Sequence, residues 1–382
     1  MVRQSTFNRT VKFMLTLCGI WPGASCLLFY RMFWIITMTT ALLCNYSYLL
    51  THIYFAELID LMDCLCIILA HSKVIIKCII FWLNQRTFME IQMIITEDWN
   101  DCADNDISMR ETSKKAKISD RLVNAVIILH TMTIFAYCFG AFFANVDVID
   151  QTTELPHMTK IKLPFRINTQ RTYRLLLIVQ FLHLILCAWA AGITNILLLT
   201  LILHAAGQIE ILRYWLTQLA SRENKSIAVT MKKIIQKHQK IIHLSENIEC
   251  LYTYIALLQF VSNTIMICSL GFLIIAAIDS PNATEQIMKS LFFYTITNLE
   301  AFIFCFAGEY MSNKGNEIGA AAYNCTWYNL KPKDNRVLLF VILRSQKQLT
   351  LTAGKMTNLS LESFTNIMSA SGSYLSVLLA MQ

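Results

Sequence analysis

Charge is what this chain has least of. Asp, Glu, Lys and Arg make up 15% of its 382 residues, against about 25% in a soluble globular domain. Five stretches have no charged residue at all: 32–54, 122–144, 175–203, 250–278 and 363–382. Each is 20 to 29 residues long, and roughly 20 apolar residues cross a bilayer core as a helix. Two further stretches, 61–83 and 287–308, are as apolar but carry a few charges. Such a deficit argues against a soluble fold. Helices are required because an unpaired backbone amide costs several kcal/mol in lipid. The runs are apolar all round, without the alternation of a barrel strand. The expected fold class is an all-α integral membrane protein with seven transmembrane helices, about 32–54, 61–83, 122–144, 175–203, 250–278, 287–308 and 357–380.

Other absences narrow the function. With 11 Gly and 5 Pro there is no linker, and 1–382 reads as a single membrane domain. No Gly-rich loop cradles a phosphate, no His pair with Glu suits a zincin, and there is no nucleophile elbow. Catalytic residues and cofactors are therefore not expected. The 13 Cys are scattered and avoid the loops at 145–174 and 278–286, so no extracellular disulfide framework is indicated. Cys64 and Cys66 are too close in sequence for an unstrained bridge, and no spacing resembles a metal site. The first 30 residues lack a small-residue cleavage site and do not read as a signal peptide.

Basic residues then set the orientation. Segments through Arg31 and at 84–121, 206–249 and 309–356 share one side and hold 24 Lys and Arg. The other side holds 6, five of them at 145–174 plus Lys289. The positive-inside rule predicts a cytosolic N-terminus and an extracellular C-terminus. On the outer side Asn282 begins an acceptable glycosylation sequon. The net charge of +7 is thus a topology signal, and no clustered basic face suggests nucleic acid. Below the membrane, Ile234, Ile235, Ile241, Ile242 and Ile248 recur at helical spacing among Lys and His. Cytosolic helices within 206–249 and 309–356 are expected to pack into an anchor bundle.

Three groups of residues invite a functional reading. Lys73 and Lys77, one turn apart, and Glu300 are intramembrane charges, which suit either a structural network or a role in ion passage. On the last span, Glu362, Asn366, Ser369, Ala370, Ser373, Val377 and Ala380 form one small or polar face. Helix packing on small residues and a water-facing pore stripe narrowing at Val377 give the same pattern. Phe135, Phe139 and Phe142 share a face at the outer end of span three, with Phe181, Trp189 and Tyr294 nearby. They suit an aromatic belt or an apolar ligand pocket.

The last third is specific. Ala321–Leu330 (AAYNCTWYNL), Leu343–Phe364 (LRSQKQLTLTAGKMTNLSLESF) and Ser371–Met381 (SGSYLSVLLAM) closely resemble the signature region of insect odorant receptors. Tyr323, Trp327, Arg344, Ser345, Gln346, Gly354, Leu359, Ser360, Phe364 and Tyr374 fit that pattern, and the stretch from His204 (HAAGQIEILRYWLTQL) is similar. The resemblance implies an odorant-binding, tuning subunit of a non-selective cation channel, tetrameric with the shared odorant co-receptor, in the plasma membrane of an olfactory dendrite or cilium. It implies a pore lined by the last span, with Val377 as the hydrophobic gate and Ala380 as the next pore-facing position, to which the stripe itself adds Asn366 and Ser373 as candidates. It also implies an anchor carrying Tyr323, Trp327 and Arg344, and a small apolar odorant bound in the outer half of the bundle. Ala380 departs from the co-receptor's polar residue, so this subunit is expected to select ions less than its partner. The 206–249 loop is too short for the co-receptor's insertion. A gustatory-type channel of the same fold and a metabotropic seven-span receptor are the alternatives, the latter opposed by the predicted cytosolic N-terminus.

Overall fold

Eighteen consecutive buried residues, Gly192 to Ile209, form the axis on which the rest of the chain is packed. A helix that is apolar on every side is stable only when surrounded, and this stretch of Leu, Ile, Ala and Thr is enclosed by five other helices. The computed structural model describes residues 5–55, 57–103, 105–143, 157–162, 167, 169–219, 224–278 and 283–380, excepting the side chains of 140–143 and 224–226. Asn282, the glycosylation candidate, lies outside the described residues.

The order is α1 (Arg9–Leu17), α2 (Leu27–His52), α3 (Leu58–Leu83), α4 (Gln85–Cys102), α5 (Asp106–Phe143), α6 (Gln170–Thr217), α7 (Asn224–Ala276) and α8 (Ala283–Asn324). A 3-10 turn (Trp327–Asn329), α9 (Pro332–Ser345), a hairpin of β1 (Thr352–Ala353) and β2 (Thr357–Asn358), and α10 (Leu361–Ala380) follow. Among the described residues, six helices, α2, α3, α5, α6, α7 and α8, are long and apolar enough to cross a membrane. The 20-residue α10 is also long enough, but its Glu, Asn and Ser residues dilute its hydropathy.

At 1.5 Å per residue, the 48 residues of α6 and 53 of α7 extend roughly 70–80 Å, well beyond a hydrocarbon core of about 30 Å. The excess gathers at the basic end, where α1, α4, α9 and the hairpin pack. Ile234, Ile241 and Ile248 are the buried stripe of α7 there, and Ile235 and Ile242 flank it. The hairpin turns through Gly354 and Lys355, both near φ +60°. Two successive positive φ values are the demand of a type I′ turn, and Gly354 N–H reaches Thr253 O of α7 at 2.8 Å. Gly308 is needed for another reason: a Cβ there would lie 2.3 Å from Leu359 O, so α8 and the short link between β2 and α10 can meet only at glycine.

The basic end is tied by one carboxylate. Asp98 of α4 is 2% exposed and accepts from Lys237 Nζ at 2.8 Å, with Lys240 Nζ at 3.2 Å and His204 Nε2 at 3.0 Å. His204 Nδ1 in turn pairs with Thr6 Oγ1 at 3.0 Å, which accepts from Trp99 Nε1. Burial alone would push the Asp98 carboxyl up, but His204 and the two lysines outweigh it and hold it well below the usual carboxylate range. Replacing Asp98 with Asn leaves Lys237 buried without a counter-charge, a change that costs about 3–5 kcal/mol. Asp98→Asn is expected to lower the thermal midpoint of the purified protein sharply, whereas Asp101→Asn, on an exposed partner of Lys240, leaves it nearly unchanged.

Candidate functional site

A cavity of about 90 Å3 lies between α3, α5, α6, α7 and α8, in the half of the bundle away from the basic end. Its wall is apolar: Ile67, Val74, Ile134, Leu184, Ala188, Ala191, Met266, Phe293 and Ile296. Polar groups are few and placed at its two ends and one side. Thr133 and Thr297 face it, as do the His71 and His130 rings.

Its floor is an ion pair. Lys73 Nζ donates to Glu300 Oε2 at 2.8 Å and to Asn263 Oδ1 at 3.0 Å, and Gln259 Nε2 donates to the same Glu300 oxygen at 2.6 Å. One turn further along α3, Lys77 Nζ donates to Asn195 Oδ1 of α6 at 2.6 Å and lies 5.8 Å from the Phe304 ring centre. All of these polar side chains are buried. Four helices are thus joined by one network at mid-bundle. Of its members only Lys73, Lys77 and Glu300 announce themselves in the sequence. Asn195, Gln259 and Asn263 sit inside charge-free runs, where an amide attracts no notice until its partners are known.

A second pair lies beside Tyr137 of the cavity wall. Lys289 Nζ of α8 contacts Asp63 Oδ2 of α3 at 2.7 Å and lies 4.1 Å from the Tyr137 ring centre, and Tyr137 Oη donates to Asp63 at 3.4 Å. Tyr137 packs edge-on against Phe293 at 6.3 Å. These two rings, rather than the aromatics favoured from the sequence, face the cavity.

The residues anticipated for a pocket fall elsewhere. Phe135 and Phe139 point out of the bundle, 54% and 60% exposed, and Phe135 meets Phe181 edge-on at 5.4 Å on that outer surface. Trp189 turns to α5, its Nε1 donating to Thr131 Oγ1 at 2.9 Å. Tyr294 packs beside Met266 and Leu270 without lining the cavity. The Phe142 side chain is outside the described residues. The geometric reason is simple: Phe135 and Phe139 are one turn apart and share a face, whereas Tyr137 lies nearly opposite.

On α10, Asn366, Ser369, Ser373, Val377 and Ala380 are all exposed, Val377 by 58%. The helix is held to α7 and α8 by its other side. Ile367 and Ser371 are buried, Ser371 Oγ reaches Thr264 O at 3.3 Å, and Phe364 meets Phe302 edge-on. Among the described residues, Asn366, Ser369, Ser373 and Ala380 are therefore not buried by packing within the chain, while Ala370 is half-buried. At the basic end Tyr323 and Trp327 are 66% and 42% exposed, and Phe340, Leu339 and Leu343 on α9 leave an apolar surface. Arg344 lies 3.8 Å from Glu246 of α7.

Comparison with known proteins agrees with this architecture. The family described as 7tm Odorant receptor matches residues 57–372, and the chain belongs to that family, one of receptors rather than enzymes. Among curated proteins, Odorant receptor 10 of Aedes albopictus is 33% identical over 160 residues, 42% of each chain. Odorant receptor 2a of Drosophila melanogaster is 30% identical over 140 residues, 37% of this chain and 35% of that one. The aligned segments thus span less than half of those relatives. Among solved structures, the insect olfactory receptor OR5 from Machilis hrabei superimposes with a TM-score of 0.83 at 14% identity, covering 98% of this chain and 97% of the other. The same receptor in complex with eugenol gives 0.80 at 15% identity. At such identity the likeness shows the fold.

Proposed function

We propose that this chain is the odorant-binding subunit of a ligand-gated, non-selective cation channel, with its basic end in the cytosol. The observation that carries the reading is the exposed stripe of α10. A monomer gains nothing by presenting Asn366, Ser373 and Val377 on the outside of an apolar bundle, whereas around a central axis they line a wet path with a hydrophobic constriction at Val377. The apolar surface around Trp327 and Phe340 supports assembly at the basic end, because exposed patches of that kind mark interfaces. Its natural partner is the shared odorant co-receptor in a heterotetramer. With Ala380 at the pore, this subunit leaves most ion selection to that partner. The plasma membrane of an olfactory dendrite is the matching location.

The ligand site of this reading is the cavity above Lys73 and Glu300. Its apolar wall and sparse polar groups suit a small, neutral, mostly apolar molecule with one hydrogen-bonding group. Ala191→Phe fills that space. Overpacking costs about 1–3 kcal/mol, so the variant still reaches the surface while its ligand response shifts by about tenfold or more in concentration, the equivalent of about 1.4 kcal/mol. Phe135→Ala and Phe139→Ala leave the response within about threefold. Dose–response currents from cells expressing the chain with the co-receptor check this. Equal shifts for Ala191→Phe and Phe135→Ala would remove the cavity from the account.

A further inference from the structure

Two imidazoles, a thiol and a thioether meet between α2, α3 and α6, at the wall of the cavity. His183 and Cys187 are four residues apart on α6 and share a face, with Cys187 Sγ 3.4 Å from His183 Nε2. From α2, Met38 brings Sδ to 3.9 Å from the same Sγ. From α3 comes His71, whose ring stacks on His183 with centres 5.3 Å apart. One donor atom from each of His71, His183 and Cys187 can be chosen so that all lie within 4.8 Å of one another.

The His71 ring is the anomaly. It is 4% exposed, and beyond a contact with the Ile67 backbone one turn back neither ring nitrogen has a well-formed hydrogen bond. Leaving one buried polar atom unsatisfied costs about 1–3 kcal/mol, so each such group in a folded protein calls for a reason, a bound ion among them. Both adjoining spaces give access: His71 and Cys187 line the cavity, while His71 and His183 line a groove of about 480 Å3 between α2 and α6.

We propose that His71, His183 and Cys187, with Met38 as a weak fourth ligand, form a binding site for monovalent copper. Two neutral imidazoles, a thiolate and a distant thioether are the donor set that copper favours. Metal–nitrogen bonds of about 2.0 Å and metal–sulfur bonds of about 2.3 Å place donor atoms about 3.5 Å apart. The Sγ to Nε2 distance already matches, and His71 has to approach by about 1.3 Å at most. Charge chooses between candidate ions. Coordination displaces the Cys187 thiol proton to solvent, and the resulting thiolate with Cu(I) is neutral. Zn(II) would leave one positive charge in an apolar bundle that already holds Lys73 and Lys77 against Glu300, and uncompensated charge there is costly. The site stands independently of the channel reading, since it needs only this chain.

The test uses the purified full chain in lipid nanodiscs, kept reduced, with Cu(I) presented against a chromophoric bicinchoninate chelator. The expected result is one Cu(I) retained per chain, with an X-ray absorption spectrum of mixed nitrogen and sulfur ligands. Cys187→Ser and His71→Leu should each weaken retention at least about tenfold, since even ligand-supporting residues alter metal affinity by about 10–100-fold. His71→Leu trades a buried ring with few polar contacts for an apolar side chain and is expected to stay monodisperse by size exclusion, so loss of metal there is not loss of fold. Met38→Leu should weaken retention less than either. The proposal is overturned if the wild type retains no copper, if retention is unchanged in both variants because the other 12 thiols hold it, or if Zn(II) is held more tightly than Cu(I).

Discussion

Glu300→Gln is expected to keep the receptor from reaching the cell surface. Glu300 is 4% exposed and is the acidic member of a network that contains Lys73 and Lys77. Neutralising it leaves two buried ammonium groups held only by the amides of Asn263 and Asn195. Removing one partner of a buried pair costs about 3–5 kcal/mol, a large part of the roughly 5–15 kcal/mol by which a domain is stable. Surface biotinylation and the thermal midpoint in detergent measure the loss. Combining Glu300→Met with Lys73→Met should recover part of it, because a buried pair replaced by apolar side chains is often close to neutral. If Glu300→Gln traffics normally and changes only ion permeation, the network belongs to the conduction path and not to the scaffold.

The second large effect concerns the gate. Val377→Asn places an amide where a ring of apolar side chains is proposed to keep the pore dry. Hydrating that constriction favours the open state, and about 1 kcal/mol of bias raises the ligand-independent current roughly fivefold. Ser371→Ala is the control on the opposite face of the helix, where Ser371 Oγ bonds Thr264 O and Ile367 O. It should alter surface expression without raising the resting current. Whole-cell recording before any ligand is applied distinguishes the two.

Much of the architecture was legible because the bilayer makes harsh demands on sequence. Charge-free runs are where helices can meet lipid, and the Ile234, Ile241, Ile248 stripe is where α7 packs beyond it. The face of α10 was equally plain as a pattern, but pattern could not tell a packing face from a water-facing one. Its exposure in the folded chain adds that Asn366, Ser373 and Val377 are not buried against α7 or α8, which the pattern alone did not show. The cavity was not legible. Choosing its aromatics requires the rotation of α5 about its own axis, which Phe135 and Phe139 as a pair do not give, and Tyr137 lies on nearly the opposite face. Phe293 lies next to Tyr294 in sequence, and one residue turns a helical side chain by about 100°. The His71, His183, Cys187 cluster was invisible for another reason. His183 and Cys187 share a face of α6, but His71 comes from α3, so no spacing motif joins all three and the fold alone brings them together.

The central claim is that ligand opens a pore made by this chain and its partners, with no soluble messenger between. Inside-out patches should be excised into nucleotide-free solution from cells expressing the chain with and without the odorant co-receptor, and challenged with a panel of volatile and cuticular-lipid ligands. A current that requires both chains and persists after excision is the expected result. Ligand responses that vanish on excision and return when GTP is supplied would contradict it and make the receptor metabotropic.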